Sequence, residues 1–91
     1  NWDKAKVNNF KKLAATVEMD SGETVEYIDY RNPKDVYVKI PTVNIRLGSF
    51  NAGTFDKIHR IPSLLPQVKM LNKKVKYIDL RWDTNYIKLD E

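Results

Sequence analysis

The apolar residues Val7, Phe10, Leu13, Ala14 and Val17 recur at three- and four-residue spacing, with Lys4, Lys11 and Lys12 between them. That period predicts an amphipathic helix over residues 3–17, ended by the Ser and Gly of "MDSGE" at 19–23. The period then shortens to two. Residues 25–30, 36–40 and 43–47 are rich in β-branched and aromatic side chains, which suit a pleated, half-buried surface and predict three strands. "NPKD" at 32–35 reads as a hairpin loop, with Pro33 preset for the turn. Pro41 and Thr42 separate the next two strands. Two residues led by proline make a poor tight hairpin, so a bend, an edge or a switch of sheet is expected there.

"GSFNAG" at 48–53 is a loop, and a second helical region follows, with Thr54 as its expected N-cap and an apolar stripe of Phe55, Ile58, Ile61, Leu65 and Val68. Pro62 and Pro66 each remove a backbone donor and crowd the preceding turn, so two short helical pieces meeting near Ile61 are expected. "NKK" at 72–74 ends them. Residues 75–82 and 86–89 then form a second hairpin across "DTN".

The chain echoes itself. "VEYIDYRN" at 25–32 returns as "VKYIDLRW" at 75–82, and each copy leads through a loop into a second alternating strand. Each is a hairpin preceded by a helix, giving an α+β plan of α-β-β-β-α-β-β with a mainly antiparallel sheet. Joining both hairpins in one sheet, with the helices against it, hides the apolar faces of both half-repeats. Alternation places Ile78, Leu80 and Trp82 on one face and Tyr77, Asp79 and Arg81 on the other. The first copy sets Ile28 and Tyr30 against Tyr27, Asp29 and Arg31. The Asp29, Arg31, Asp79 and Arg81 charges read as structural strand pairs, set across strands at the surface, with direct binding as the alternative.

With 91 residues the chain supports a single domain spanning 1–91, and at 42% hydrophobic with ten aromatics it can build a modest core. Without cysteine it has no disulfide, thiolate nucleophile or Cys-based metal site, which leaves the compartment open. Sixteen basic against twelve acidic residues give a net of +4, but the basic clusters Lys11-Lys12 and Lys73-Lys74 have acids close by, unlike the dense basic stripe of a nucleic-acid binder. No stretch approaches the roughly 18 apolar residues of a membrane span. The chain begins without methionine, so it is expected to be a piece of a longer protein.

Catalytic chemistry finds little support. The one histidine, His59, has no Cys, His or carboxylate at ligand spacing beyond Asp56. "GSFNAG" lacks the lysine and spacing of a phosphate loop. Asp29, Asp79 and Asp83 could pair as acid and base, but Asp29 and Asp79 each have an arginine two residues on, which favours a structural pair. The expectation is a non-enzymatic domain without cofactor, metal or small-molecule substrate.

The segment "YIDLRWDTNYIKL" at 77–89 resembles the C-terminal hairpin of the bacterial cell-division proteins FtsQ and DivIB, whose pattern is an apolar-Asp-apolar-Arg strand, a short turn and a final strand. Upstream, "VNIRLGSF" at 43–50 is similar to that family's strand ending in Leu-Gly. "FDKIHRIPSLL" at 55–65 is similar to its helix opening on a basic and an apolar residue. Ile78, Asp79, Leu80 and Arg81 are the strongest letters, followed by Leu47-Gly48 and Lys57-Ile58.

The resemblance implies the membrane-distal β domain of a single-pass protein, anchored in the cell membrane and lying on the extracytoplasmic side at the division septum. A transmembrane helix and a POTRA domain would precede Asn1. It implies a divisome scaffold that recruits small coiled-coil division proteins, FtsL and the FtsB or DivIC type. The last strand of a sheet exposes unpaired amides and carbonyls to which a partner segment adds as a further strand. The expected partner-binding residues are Trp82, Thr84, Asn85, Tyr86, Ile87, Lys88 and Leu89. Trp82 stands where the family has an aromatic after the arginine, and Thr84 and Asn85 stand at its Ser-Gly turn. Sharing a face with Ile78 and Leu80, Trp82 reads equally well as core. Ser49 occupies the position where some members carry a basic partner-binding residue. The rival reading is a small basic domain binding an anionic polymer, nucleic acid or cell-wall teichoic acid.

Overall fold

A computed structural model of the chain describes residues 4–51, 53–71, 73–82 and 84–90. Helix α1 (Lys4–Ser21) runs four residues beyond the apolar stripe, so Met19 and Asp20 are helical. It stops where Gly22 takes φ of 72°. That left-handed conformation costs glycine little and other residues more. The expected start at Asp3 and the side chain of Val7 lie outside the described residues.

Five strands follow the α+β plan: β1 (Tyr27–Asp29), β2 (Val36–Lys39), β3 (Asn44–Gly48), β4 (Val75–Asp79) and β5 (Tyr86–Leu89). They form one sheet in chain order, antiparallel except where β3 and β4 run parallel. The parallel step is made by the crossover through α2 (Thr54–Ile58) and α3 (Ile61–Met70). The helical region thus breaks just before Ile61, with Pro62 in the first turn of α3, where its missing N–H is no loss. Pro66 is accommodated within α3.

The registers line up across all five strands. Ile28, Val38, Ile45, Ile78 and Ile87 form one rib. Its central members are fully buried with Leu47 and Leu80 against Leu13, Val17, Ile58, Ile61, Leu64 and Val68 of the helices. All three helices therefore cover one face, and the two half-repeats share one core. The next row, Asp29, Tyr37, Arg46, Asp79 and Tyr86, lies on the opposite face.

Two local expectations are corrected. Ile40 and Val43 exchange both backbone bonds, N–H to carbonyl, at 3.1 and 3.2 Å around Pro41 and Thr42, so this is a tight two-residue hairpin. Neither turn residue has positive φ, so the turn lacks the geometry that hairpins favour. Glu23 compensates: its carboxylate accepts from the Thr42 N–H at 2.9 Å and from the Thr42 hydroxyl. Thr54, expected as an N-cap, lies inside α2 and is fully buried. Its hydroxyl accepts from the Asn51 N–H at 2.9 Å and donates to the Ser49 carbonyl at 3.2 Å, tying down the loop after β3.

Candidate functional site

β4 ends in a local device. The Asp79 carboxylate accepts from the backbone N–H of Arg81 at 3.0 Å and from its guanidinium at 3.0 and 2.8 Å. An aspartate that binds the amide two residues on competes with the sheet for it, and β4 ends at Asp79 with the Leu80 N–H still donating to the Arg46 carbonyl, at 2.9 Å. The Asp79 side chain is 3% exposed and that of Arg81 30%. Burial alone would push the Asp79 carboxyl up, but the hydrogen bonds from Arg81 and the charges of Arg81 and Arg46 outweigh it and hold it below the ordinary carboxylate value. The guanidinium of Arg81 is correspondingly raised, chiefly by its bond to Asp79.

Arg81 also joins two stretches far apart in sequence. Gly48 ends β3 with φ of 74°, and a Cβ there would stand 3.0 Å from Arg81 Cγ. The Leu47-Gly48 step and the Ile78-Asp79-Leu80-Arg81 run therefore meet at one corner, where the parallel strands β3 and β4 end. The Arg81 guanidinium lies 5.0 Å from the Trp82 ring.

The first copy repeats the device at the far edge. Asp29 accepts from the Arg31 N–H at 3.1 Å and from its guanidinium at 3.0 and 2.7 Å, but the Arg31 side chain is 90% exposed. Arg31 holds the Asp29 carboxyl below its usual value, mainly through the side-chain bond. Both Asp–Arg pairs thus form along one strand, two residues apart, and not across strands as expected. The pairing across the sheet is Arg46 with Asp35, at 2.8 and 2.7 Å. Arg46 also donates to the Tyr77 hydroxyl at 3.1 Å and lies 5.4 and 5.3 Å from the Tyr37 and Tyr77 rings. Sequence reading missed this centre. Its one signal was an arginine inside the apolar strand "NIRLG". Bonding to Asp35 is the main influence holding the Arg46 guanidinium well above the ordinary arginine value, and burial pushes the Tyr37 hydroxyl up.

The seven residues proposed from the resemblance occupy the other edge and the turn before it. Trp82 is 57% exposed and not core: β4 has ended three residues earlier, so alternation no longer sets its direction. With Asp56, Lys57 and Arg60 it lines a shallow hollow of about 240 Å³. Arg60, which sequence reading passed over, donates to the Leu80 carbonyl at 2.7 Å and to Asn85 Oδ1 at 3.1 Å, pinning the turn to the helices. Thr84 and Asn85 are exposed, and Ser49 is exposed beside Gly48. In β5, Tyr86 and Lys88 are exposed on the open face, while Ile87 and Leu89 are half-buried, Ile87 against the core. Asp83 lies outside the described residues.

β5 ends the strand order and, among the described residues, has only β4 beside it. The Asp90 N–H donates to the Lys74 carbonyl at 2.9 Å. Alternation from that bond turns the N–H groups of Tyr86 and Lys88 toward β4 and those of Ile87 and Leu89 outward. The register shift falls between Val75 and Tyr77 on β4, so β5 stays regular along the open side.

Elsewhere, His59 Nδ1 lies 2.6 Å from Asp20 Oδ2 of α1, a partner that spacing along the chain could not reveal. Among the described residues no three His, Asp or Glu side chains cluster as metal ligands would, and no helix is long and apolar enough to cross a membrane. Compared with protein-family models and with curated proteins, the chain matches none.

Proposed function

We propose that this chain is an interaction domain that binds a partner segment as a sixth strand on β5, in the manner of the FtsQ and DivIB divisome scaffolds whose C-terminal hairpin its own resembles. The observation that carries this reading is the position of β5: a regular edge strand with outward amides at Ile87 and Leu89 and, among the described residues, no strand beyond it. Backbone hydrogen bonds supply affinity in strand addition, and the side chains flanking the new strand supply selectivity. Tyr86, Lys88 and the exposed Trp82 are placed for that second role. Arg60 and the Asp79–Arg81 pair hold the preceding turn, so the edge is presented without prior ordering. The partners on this reading are the extracytoplasmic segments of FtsL and FtsB or DivIC-type proteins, met outside the cell membrane at the septum.

The anionic-polymer reading has less behind it. Arg31, Arg46 and Arg81 are each tied to an aspartate, which leaves the open face with separate lysines such as Lys76 and Lys88 and not the dense basic cluster that binds a polyanion. An NMR titration of the 91-residue chain with a DivIC- or FtsB-type segment at low and high salt tests the proposal. Shifts concentrated at residues 82–89 that persist in salt, and are lost in a folded Ile87→Pro variant, are expected. The absence of shifts at millimolar segment, or binding that collapses linearly in log salt, would contradict it.

A further inference from the structure

The open face of the sheet, away from β5, carries a cleft of about 280 Å³ lined by Tyr27, Asp29, Arg31, Asn44, Lys76 and Tyr77, with Tyr37 beside them. Three features set it apart from an ordinary polar surface. Among the described residues Asn44 Oδ1 is buried without a hydrogen-bond partner, while the residue as a whole is partly exposed at the cleft. Buried polar atoms are nearly always paired, so an orphan acceptor at a cleft wall calls for a donor from outside. Second, the irregularity in β4 falls at Lys76. Strict alternation would send Lys76 and Tyr77 to opposite faces, yet both line the cleft. Bulges re-aim side chains in this way. Third, Lys76 has no ion-pair partner among the described residues, whereas Arg31 beside it is tied to Asp29.

We infer that this cleft binds an acidic sugar unit of a glycan. Tyrosine rings offer flat apolar walls to the C–H faces of a sugar ring. Asn44 and Asp29 accept from its hydroxyl or amide groups, and Lys76 meets its single carboxylate or phosphate. A nucleic-acid strand fits less well, because its closely spaced phosphates would meet the Asp29 carboxylate with few unpaired cations in reach. The volume lies just below the usual range for small-molecule clefts, which suits one or two rings and not a long chain.

The test is an NMR titration of the whole chain with a tetrasaccharide of alternating glucuronic acid and N-acetylglucosamine, with the neutral N-acetylglucosamine tetramer and a short deoxythymidine oligonucleotide as comparisons. Saturable shifts are expected at Tyr27, Asn44, Lys76 and Tyr77 with the acidic glycan, and weak or none with the neutral one. Residues 86–89 should not respond, so the result stands or falls apart from strand addition at β5. Asn44→Val and Lys76→Ala should each weaken binding about tenfold or more. Asn44→Val should also melt no lower than the parent, which excludes misfolding as the cause. Equal response to the neutral glycan, tighter binding of the oligonucleotide at the same residues, or no saturable shift in the folded chain would each overturn the inference.

Discussion

The two Asp–Arg pairs have the same bonds and opposite surroundings. Asp29 and Arg31 close the outermost strand, with Arg31 almost wholly in solvent, while Asp79 and Arg81 close a central strand with Asp79 sealed inside. The repeated letters specify a local turn, and the place of each strand in the sheet decides what the turn is worth. At the edge, water replaces a lost bond, and ion pairs of this kind contribute little. At the centre the pair packs against Gly48 and Trp82 with the Asp79 side chain sealed, and breaking a pair with a buried member is expensive.

The sharpest break of that comparison is the pair of alanine variants. Asp79→Ala should cost about 3 kcal/mol, and at about 4–8 °C per kcal/mol for a domain of this size the melting temperature should fall by more than about 10 °C. Asp29→Ala should shift it far less. Equal losses in calorimetry would show that the local turn, and not burial, sets the energy.

Glycine offers a second, smaller contrast. Gly22 and Gly48 have nearly the same positive φ, but a Cβ at Gly22 meets open space and one at Gly48 meets Arg81. Gly22→Ala should cost about 1 kcal/mol and Gly48→Ala about 2 kcal/mol or more, by denaturant titration. In an Arg81→Ala background the two should converge, because only the backbone strain remains.

Smaller again is Asn44→Val, which removes an unpaired buried acceptor from β3 and should raise stability by about 1 kcal/mol in the same titration. The smallest effect is the pH dependence. Both aspartates titrate below their ordinary value in the folded chain. Their contribution is therefore full above the unfolded carboxylate pKa of about 3.9 and is lost as pH falls through the lower folded value. Melting temperature measured from pH 6 to 2 should drop below about pH 4, and Asp79→Asn should flatten that drop more than Asp29→Asn.

Elements whose signal is local were legible in the sequence. Period-two runs marked all five strands, and the change to a helical period marked α1 and the broken α2–α3 segment, with Pro62 placing the break. The echo of "YIDYR" in "YIDLR" foretold two hairpins in one sheet. Features set by distant partners were not legible. The Pro41-Thr42 turn is tight because Glu23, nineteen residues away, binds it, and Arg46 is held by Asp35 and Tyr77 from two other parts of the fold. The direction of Trp82 was lost because alternation fails once Asp79 turns the chain. The edge position of β5 followed from chain order, but the outward amides at Ile87 and Leu89 required the register.

Those two amides give the most direct test of strand addition. Amide hydrogen exchange should be measured across β5 in the free chain and with a DivIC- or FtsB-type segment bound. Tyr86 and Lys88, bonded to β4, should exchange slowly in both states. Ile87 and Leu89 should exchange fast in the free chain and become strongly protected in the complex. A bound state in which Ile87 and Leu89 still exchange as in the free chain would contradict the account and move the interface elsewhere on the domain.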